Sequence, residues 1–484
     1  MASTVLLLIM AVAIHGGSDW SFASDTISAN SPISGDRTVV SRGGKFELGF
    51  FSPAGGGGNN YYVGIWYKKV VSQRTPVWVA NRAVPVADPA SSRLAVAADG
   101  NLVLTNEAGK LVWCSNVSSA SGSNGDAAVA VILDTGNLVL RREISGQVLW
   151  QSVEHPTDTW LPGVHLGMNK ITGDMQPLVS WKNAGDPAPG MFTMGIDPDG
   201  SSQYSTKWNR TVTFWSSGKW NGDAFAGIPE MISHYKYDFK FVSDANASYF
   251  AYSLPDPTMI SRLVLDVSGQ VSMMMWAPSA EWMIIWTGPH RLCDVYAVCG
   301  AFGVCNEKSE PYCSCPAGFR PSSAGDWELG DHSHGCRRNN PSRCDGGTNS
   351  SVHGDAFLPA PGVSLPINSS SAQASSARDC ELACLRSCNC TAYSYGGHCS
   401  LWYGGLLNLE DTGGMDDLYL RVSAVDVPSS KGRKRTVVFV SIAVVASIIL
   451  SLSIIVFVVV RMYRKRQRSR TFLQAASEGG NLVA

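Results

Sequence analysis

Leu94–Asn116, LAVAADGNLVLTNEAGKLVWCSN, and Val131–Ser152, VILDTGNLVLRREISGQVLWQS, are two copies of one pattern. Each copy is a strand, a turn carrying Asp-Gly-Asn or Asp-Thr-Gly-Asn, a strand opening Asn-Leu-Val-Leu, a glycine turn and a strand that runs into Trp. Gly and Asn supply the positive-φ positions that tight hairpins need, and the apolar residues alternate as in half-buried strands. A repeated unit of this kind builds an all-β domain with internal pseudo-symmetry.

Working outward, the β texture continues from His155 to about Pro289, with Trp181, Trp208, Trp215, Trp220, Trp276, Trp282 and Trp286 spread along short segments. Scattered aromatics of this sort are expected to fill the core of a second β domain. The texture then changes. Of the 13 cysteines, all but Cys114 lie between Cys293 and Cys399. The segment Cys293–Cys336 holds too few apolar residues for a core, so disulfides must hold it. A separate segment from Cys344 carries Cys380, Cys384, Cys388, Cys390 and Cys399. Spacing alone leaves the connectivity open.

The cysteine density implies an oxidising compartment. Val5–Ile14 is apolar, too short to span a bilayer, and followed by Ser21-Phe22-Ala23, which suits a signal peptide cleaved after Ala23. N-x-S/T sequons at Asn116, Asn209, Asn246, Asn349, Asn368 and Asn389 agree with export. Thr436–Val460 is uncharged and apolar, long enough as a helix to cross a ~30 Å hydrocarbon core. Lys431, Arg433, Lys434 and Arg435 precede it, and Arg461, Arg464, Lys465, Arg466, Arg468 and Arg470 follow it. The signal peptide and this basic excess predict a single-pass type I protein of the plasma membrane, its N-terminus outside. The basic tail suits anionic lipid. A net charge of −1 gives no field for nucleic acid as a partner.

Several strings together resemble the ectodomain of plant S-domain receptor-like Ser/Thr kinases, also called G-type lectin receptor kinases. They are FELGFFSP from Phe46, YYVGIWYKK from Tyr61, VWVANR from Val77, the two GNLVL runs, HPTDTWLPG from His155, SGKWNG from Ser217 and CDVYAVCGAFGVC from Cys293. The resemblance runs from about residue 25 to beyond the membrane helix, over four consecutive modules. It implies a mainly β multidomain chain: a bulb-lectin β-prism over 24–152, an S-locus-glycoprotein-like β domain over 153–290, an EGF-like module over 291–336 and a PAN/apple-like module over 344–422. The signal peptide is then 1–23, the stalk 423–435, the transmembrane helix 436–460 and the cytoplasmic tail 461–484. By the same resemblance, Cys293 pairs with Cys305, Cys299 with Cys313 and Cys315 with Cys336. In the PAN module Cys380 pairs with Cys399 and Cys384 with Cys390, leaving Cys344 for Cys388. Cys114 is the odd thiol, expected to be buried and unreactive.

Bulb-type lectins bind mannose through a Q-x-D-x-N-x-V-x-Y strand. The first repeat keeps Asp99, Asn101 and Val103, with Ala97 and Thr105 in place of Gln and Tyr. The second keeps Asn137 and Val139, while Leu133, Thr135 and Arg141 replace the rest. A sugar site stripped of half its polar partners loses affinity and specificity. The competing role for Asp99 and Asn101 is turn formation. The stretch WTGPHRL before Cys293 has no carboxylate for calcium. His332 and His334 stand beside Cys336, but a disulfide on Cys336 leaves no zinc set, so neither metal nor cofactor is expected. Gly55–Gly58 lacks the Lys-Ser/Thr of a phosphate loop and is expected to be a hairpin loop.

The tail RMYRKRQRSRTFLQAASEGGNLVA carries no kinase motif, and the ectodomain shows no nucleophile elbow or zinc-protease pattern. As it stands the chain is expected to be no enzyme. It is expected to be a recognition receptor that binds an extracellular peptide or glycan and associates with itself or with related receptor ectodomains. The alternatives are a truncated or incomplete form of a receptor Ser/Thr kinase and a mannose-binding lectin.

Overall fold

The structure is a computed structural model describing residues 24–466 apart from 57, 71–73, 119–125, 199–201, 234–235, 342–353 and 429–446. The proposed signal peptide, Asn349, Cys344 and the tail beyond Arg466 lie outside the described residues. The chain divides into two compact units, residues 1–338 with 359–420, and 339–358 with 421–484.

The first unit begins with eleven strands in three sheets. They are β1 (Thr26–Ile27), β2 (Val39–Val40), β3 (Phe46–Phe51), β4 (Tyr62–Tyr67), β5 (Pro76–Val79), β6 (Arg93–Val96), β7 (Leu102–Thr105), β8 (Leu111–Cys114), β9 (Ala128–Ile132), β10 (Leu138–Arg142) and β11 (Val148–Gln151). The sheets run β2-β3-β4-β5, β6-β7-β8 and β1-β9-β10-β11. The two repeats legible in the sequence form the last two sheets, and β3–β5 form a third copy. Their registers coincide. Leu104 faces Trp113, Leu140 faces Trp150 and Ile65 faces Trp78, and each pairing shifts by a bulge at the next residue. A bulge strengthens local twist. Three identical bulges turn three sheets inward on one axis.

On that axis the indoles of Trp78, Trp113 and Trp150 meet edge to face, with centroids 5.9, 5.8 and 5.7 Å apart. Leu48, Ile65, Leu94, Leu102, Leu104, Ala130 and Leu140 are fully buried around them. Each buried Leu or Ile contributes ~1.5–3 kcal/mol relative to exposure.

The second region has three antiparallel sheets. One pairs Thr159–Trp160, Ser261–Leu265, Val271–Trp276 and Trp282–Gly288; another pairs Leu178–Asn183, Asp186–Ile196, Tyr204–Trp208 and Val212–Ser216. The third joins Leu166–Asn169, Ala247–Ser253 and Asp238–Ser243. Trp160 sits edge-on to Phe250 and Tyr252 at 5.5 and 5.7 Å. Buried Tyr252 donates to the Trp160 carbonyl at 2.8 Å, so its hydroxyl is not left unsatisfied.

The scattered tryptophans divide between two tasks. Trp286 is buried in the second core, with Trp208, Trp215 and Trp220 packed against it. Trp276 and Trp282 instead pack against the first core, and Trp181 closes a cluster of Phe51, Tyr62, Trp66 and Val79. The second β region thus lends three indoles to the first.

Disulfides Cys293–Cys305, Cys299–Cys313 and Cys315–Cys336 hold the next segment. Val304 pairs in parallel with Leu409, and Ala297 N–H donates to Asn408 Oδ1 at 2.6 Å, tying this segment to the one after it. There, helix Ala377–Leu385 is capped by Ser376, whose hydroxyl accepts from Asp379 N–H at 3.2 Å. Cys380–Cys399 and Cys384–Cys390 pin that helix to the following strands, and Cys388 is also disulfide-bonded.

In the second unit Arg421 Nη2 lies 2.7 Å from Asp355 Oδ2, both side chains buried. Its helix Ser447–Arg466 contains an 18-residue window with a mean hydropathy of 1.9, is long and apolar enough to cross a membrane, and carries its apolar side chains exposed. It continues past Val460, where the expected span ended, through the flanking basic residues to Arg466; Thr436–Ala446 lie outside the described residues.

Candidate carbohydrate face and its surroundings

The Asp-Gly-Asn turn brings Asp99 and Asn101 together at the start of β7. Asp99 Oδ1 accepts from Asn101 N–H at 2.9 Å and its Oδ2 accepts from Asn101 Nδ2 at 3.0 Å. These bonds, the backbone one foremost, hold the exposed Asp99 carboxyl below its usual range. Asn101 Oδ1 accepts from Ser115 Oγ at 3.0 Å and from Val117 N–H at 2.7 Å, and the residue is buried. The Asn101 amide oxygen thus holds β7 to the exit of β8. Ser115 Oγ closes the circuit by accepting Leu102 N–H at 3.1 Å.

The second sheet repeats this device. Asn137 Oδ1 accepts from Ser152 Oγ at 3.2 Å, Ser152 Oγ accepts from Leu138 N–H at 2.9 Å, and Asn137 Nδ2 donates to Gln151 at 2.9 Å. In the third sheet Asn81 Oδ1 takes the serine's place, accepting Val63 N–H at 2.8 Å. The polar residues that a sugar would use are therefore also the residues that lock each repeat.

Val103 follows Asn101 by two residues, on β7, opposite Cys114 in the β7–β8 pairing. Among the described residues Cys114 is the free cysteine and is half-buried, in place of the expected buried thiol: it ends β8 outside the core. In the third sheet the positions of Asn101, Val103 and Thr105 carry Tyr62, Gly64 and Trp66. Trp66 Nε1 donates to Glu47 at 3.1 Å, and Tyr62 and Trp66 are buried under Trp181. Burial, with Asp186 adding to it, pushes the Tyr62 hydroxyl up to about 12. This third face is an internal junction with the second β region.

Arg82 fastens that junction. Its Nε donates to the Pro187 carbonyl at 2.6 Å and its Nη2 to those of Val179 and Ser180 at 3.0 and 2.7 Å. Tyr67 Oη donates to the Ser261 carbonyl and Trp78 Nε1 to the His155 carbonyl, each at 2.9 Å. The Gly-rich loop serves the same contact: a Cβ on Gly56 would come within 2.9 Å of the Gly185 carbonyl.

The histidines near Cys336 separate. His332 is buried, its Nδ1 3.2 Å from Tyr312 Oη and its ring edge-on to Tyr312 and Trp327; burial lowers its pKa. His334 lies 3.9 Å from Asp326. The Asp326 carboxylate already accepts Ser323 Oγ at 2.7 Å and Asn183 Nδ2 at 3.0 Å, with Lys182 Nζ 3.4 Å away. A neighbouring ammonium opposes a cation there. Among the sequons, Asn116, Asn209, Asn246, Asn368 and Asn389 are all exposed.

Comparison with known proteins agrees with this arrangement. The D-mannose binding lectin family matches residues 75–182, the S-locus glycoprotein domain residues 215–323 and the PAN-like domain residues 344–409. An Arabidopsis thaliana relative named among the G-type lectin S-receptor-like serine/threonine-protein kinases is 32% identical over 468 residues, covering 93% of this chain and 82% of that protein. The chain belongs to the G-type lectin S-receptor-like serine/threonine-protein kinase family. Another A. thaliana family member is 41% identical over 444 residues, 88% of this chain and 51% of that protein. The A. thaliana receptor-like serine/threonine-protein kinase SD1-8 is 35% identical, over 92% of this chain and 52% of its own length. The chain thus spans about half the length of these two relatives. Two solved lectins, from Marasmius oreades and Gastrodia elata, align with 27% of this chain at 17% and 16% identity and a TM-score of 0.20, too low to add to the strand pairing above.

Of the residues singled out in the sequence, Asp99 and Asn101 are hydrogen-bonded to each other, and Val103 stands two residues further on. The structure adds Ser115 and Val117, which the motif does not contain. The third repeat is found through Trp78, which holds the same place in its sheet as Trp113 and Trp150.

Proposed function

We propose that these residues form the recognition part of a cell-surface receptor, with Ser24 onward outside the plasma membrane and the basic tail inside. The part binds an extracellular peptide or glycan and associates with itself or with related receptor ectodomains. The observation that carries this is the order of matched modules: lectin, S-locus glycoprotein and PAN-like regions precede an apolar helix long enough to cross a bilayer. The exposed sequons and the disulfides support an extracellular site. Cells displaying the full chain, incubated with relatives' ectodomains, secreted peptides and cell-wall glycans, should capture at least one with micromolar affinity or better. Capture of none ends the proposal.

The relatives' names add a kinase activity. Phosphoryl transfer is proposed to lie outside these residues, in a longer product of the same gene or in a full-length partner. The endogenous protein, deglycosylated and sized, separates the two: a mass just under 51.8 kDa points to a partner, and a mass larger by a whole domain to a longer product.

A mannose-specific lectin is the second reading, favoured by the name of the matched lectin family and by the retained Asp99, Asn101 and Val103. The engaged amide of Asn101 supports the turn-forming role over it.

A further inference from the structure

The first and second β regions meet around a cleft of about 540 Å³. Arg74 faces it from the first region; Asp158, Trp181, Arg262, Asp266 and Trp282 face it from the second. Its size is that of a small-ligand site, which runs ~300–1,000 Å³.

Both arginines stack on an indole; the buried Asp158 carboxylate acts on Arg262 from beyond ion-pair distance. The Arg74 guanidinium lies 5.1 Å over the Trp66 ring and that of Arg262 lies 4.7 Å over Trp282. Among the described residues neither forms an ion pair. Stacking on an indole orients the planar fork. Arg262 Nε, Trp181 Nε1 and Trp282 Nε1 are all buried without a hydrogen-bond acceptor. Buried donors left unmatched are costly, so the junction holds a surplus of donors. The acceptors nearby are engaged in part: Asp158 accepts Thr157 Oγ1 at 3.1 Å, and Asp266 accepts Ser268 N–H at 2.8 Å.

We infer that this cleft binds an acidic oligosaccharide, one whose hexose rings carry carboxylates. Each part of such a ligand has a counterpart here. A carboxylate takes two parallel N–H bonds from a guanidinium fork. Ring C–H faces lie against indole edges and proline, and ring hydroxyls donate to Asp158 and Asp266. A neutral hexose would leave Arg74 without an anion and Arg262 with Asp158 alone. The inference deepens the recognition role proposed above by naming a place and a chemistry for the glycan.

The test uses the full chain in nanodiscs and isothermal titration with tri-galacturonic acid, its methyl ester, mannotriose and a triglutamate peptide. Tri-galacturonic acid should bind saturably at one site. The methyl ester and mannotriose should bind at least about tenfold more weakly, the loss expected when a charge-assisted pair becomes neutral. Arg262→Gln should weaken tri-galacturonic acid by at least about tenfold. Arg74→Gln, at an exposed position, should do the same with the melting temperature unchanged, so the test stands even if the buried variant fails to fold. Absent binding, binding indifferent to esterification, or binding indifferent to Arg74→Gln would overturn the site. Equal or tighter binding of triglutamate would overturn the ligand class. Either failure leaves the receptor proposal intact, because capture of other ligands or of relatives decides that.

Discussion

The indole of Trp113 stands edge-on to that of Trp150, centroids 5.7 Å apart at 73°, although the two belong to different sheets. With Trp78 they close the axis on which three sheets of identical register converge. Edge-to-face pairs add ~0.5–1.5 kcal/mol beyond area burial, so each indole contributes to two such pairs at once. Trp150→Ala should destabilise the first unit by ~3–5 kcal/mol, and Trp150→Phe by distinctly less, read from chemical denaturation. Equal losses for the two would show that the ring edges do not matter.

Asn101 presents a separable case. Its amide bonds Asp99, Ser115 and Val117 at once, so Asn101→Ala should cost ~1–3 kcal/mol in the absence of any sugar. Mannose at millimolar concentration should neither bind the wild-type chain measurably nor raise its melting temperature. A mannose-induced shift that disappears in Asp99→Ala would restore the sugar role.

Arg82 reaches three carbonyls of the second region with one planar fork. Lysine cannot reproduce that geometry. Both Arg82→Met and Arg82→Lys should weaken the junction by ~2–4 kcal/mol and raise the rate of limited proteolysis between the two β regions. Wild-type behaviour of Arg82→Lys would contradict the need for a planar fork across the three carbonyls.

His332 makes the disulfide-rich segment acid-sensitive. Burial lowers its pKa from 6.5, so it is neutral when folded and binds a proton more readily when unfolded. The stability it contributes is fully present above pH 6.5 and is lost as pH falls towards the lowered folded value. Melting curves between pH 7.5 and 5 should show a decline of at most ~1.4 kcal/mol per pH unit from this group, and His332→Gln should flatten it.

The β class, the module order and the pseudo-repeat were legible because Gly and Asn turns punctuate strands whose apolar residues alternate. Leu104 and Leu140 announce their sheets in matching Asn-Leu-Val-Leu runs. Ile65 does the same work inside YVGIWY, but Ser52–Asn60 lengthens the hairpin before it and breaks the period, which hides the third copy. Asp99 and Asn101 were visible as candidates, whereas Ser115 and Val117 were not, because only the β7–β8 pairing brings them within reach. The cleft was not legible at all: Arg74 and Arg262 are distant in sequence and meet only where Trp181 and Trp282 leave the second core for the first.

The central claim is that residues ahead of helix Ser447–Arg466 recognise ligands outside the cell. Protease shaving of intact cells expressing the chain with a C-terminal epitope tests it most directly. The account predicts release of a glycosylated fragment containing the first unit, with the epitope retained inside and protected. Protection of the first unit from protease, or loss of the epitope from intact cells, would contradict it.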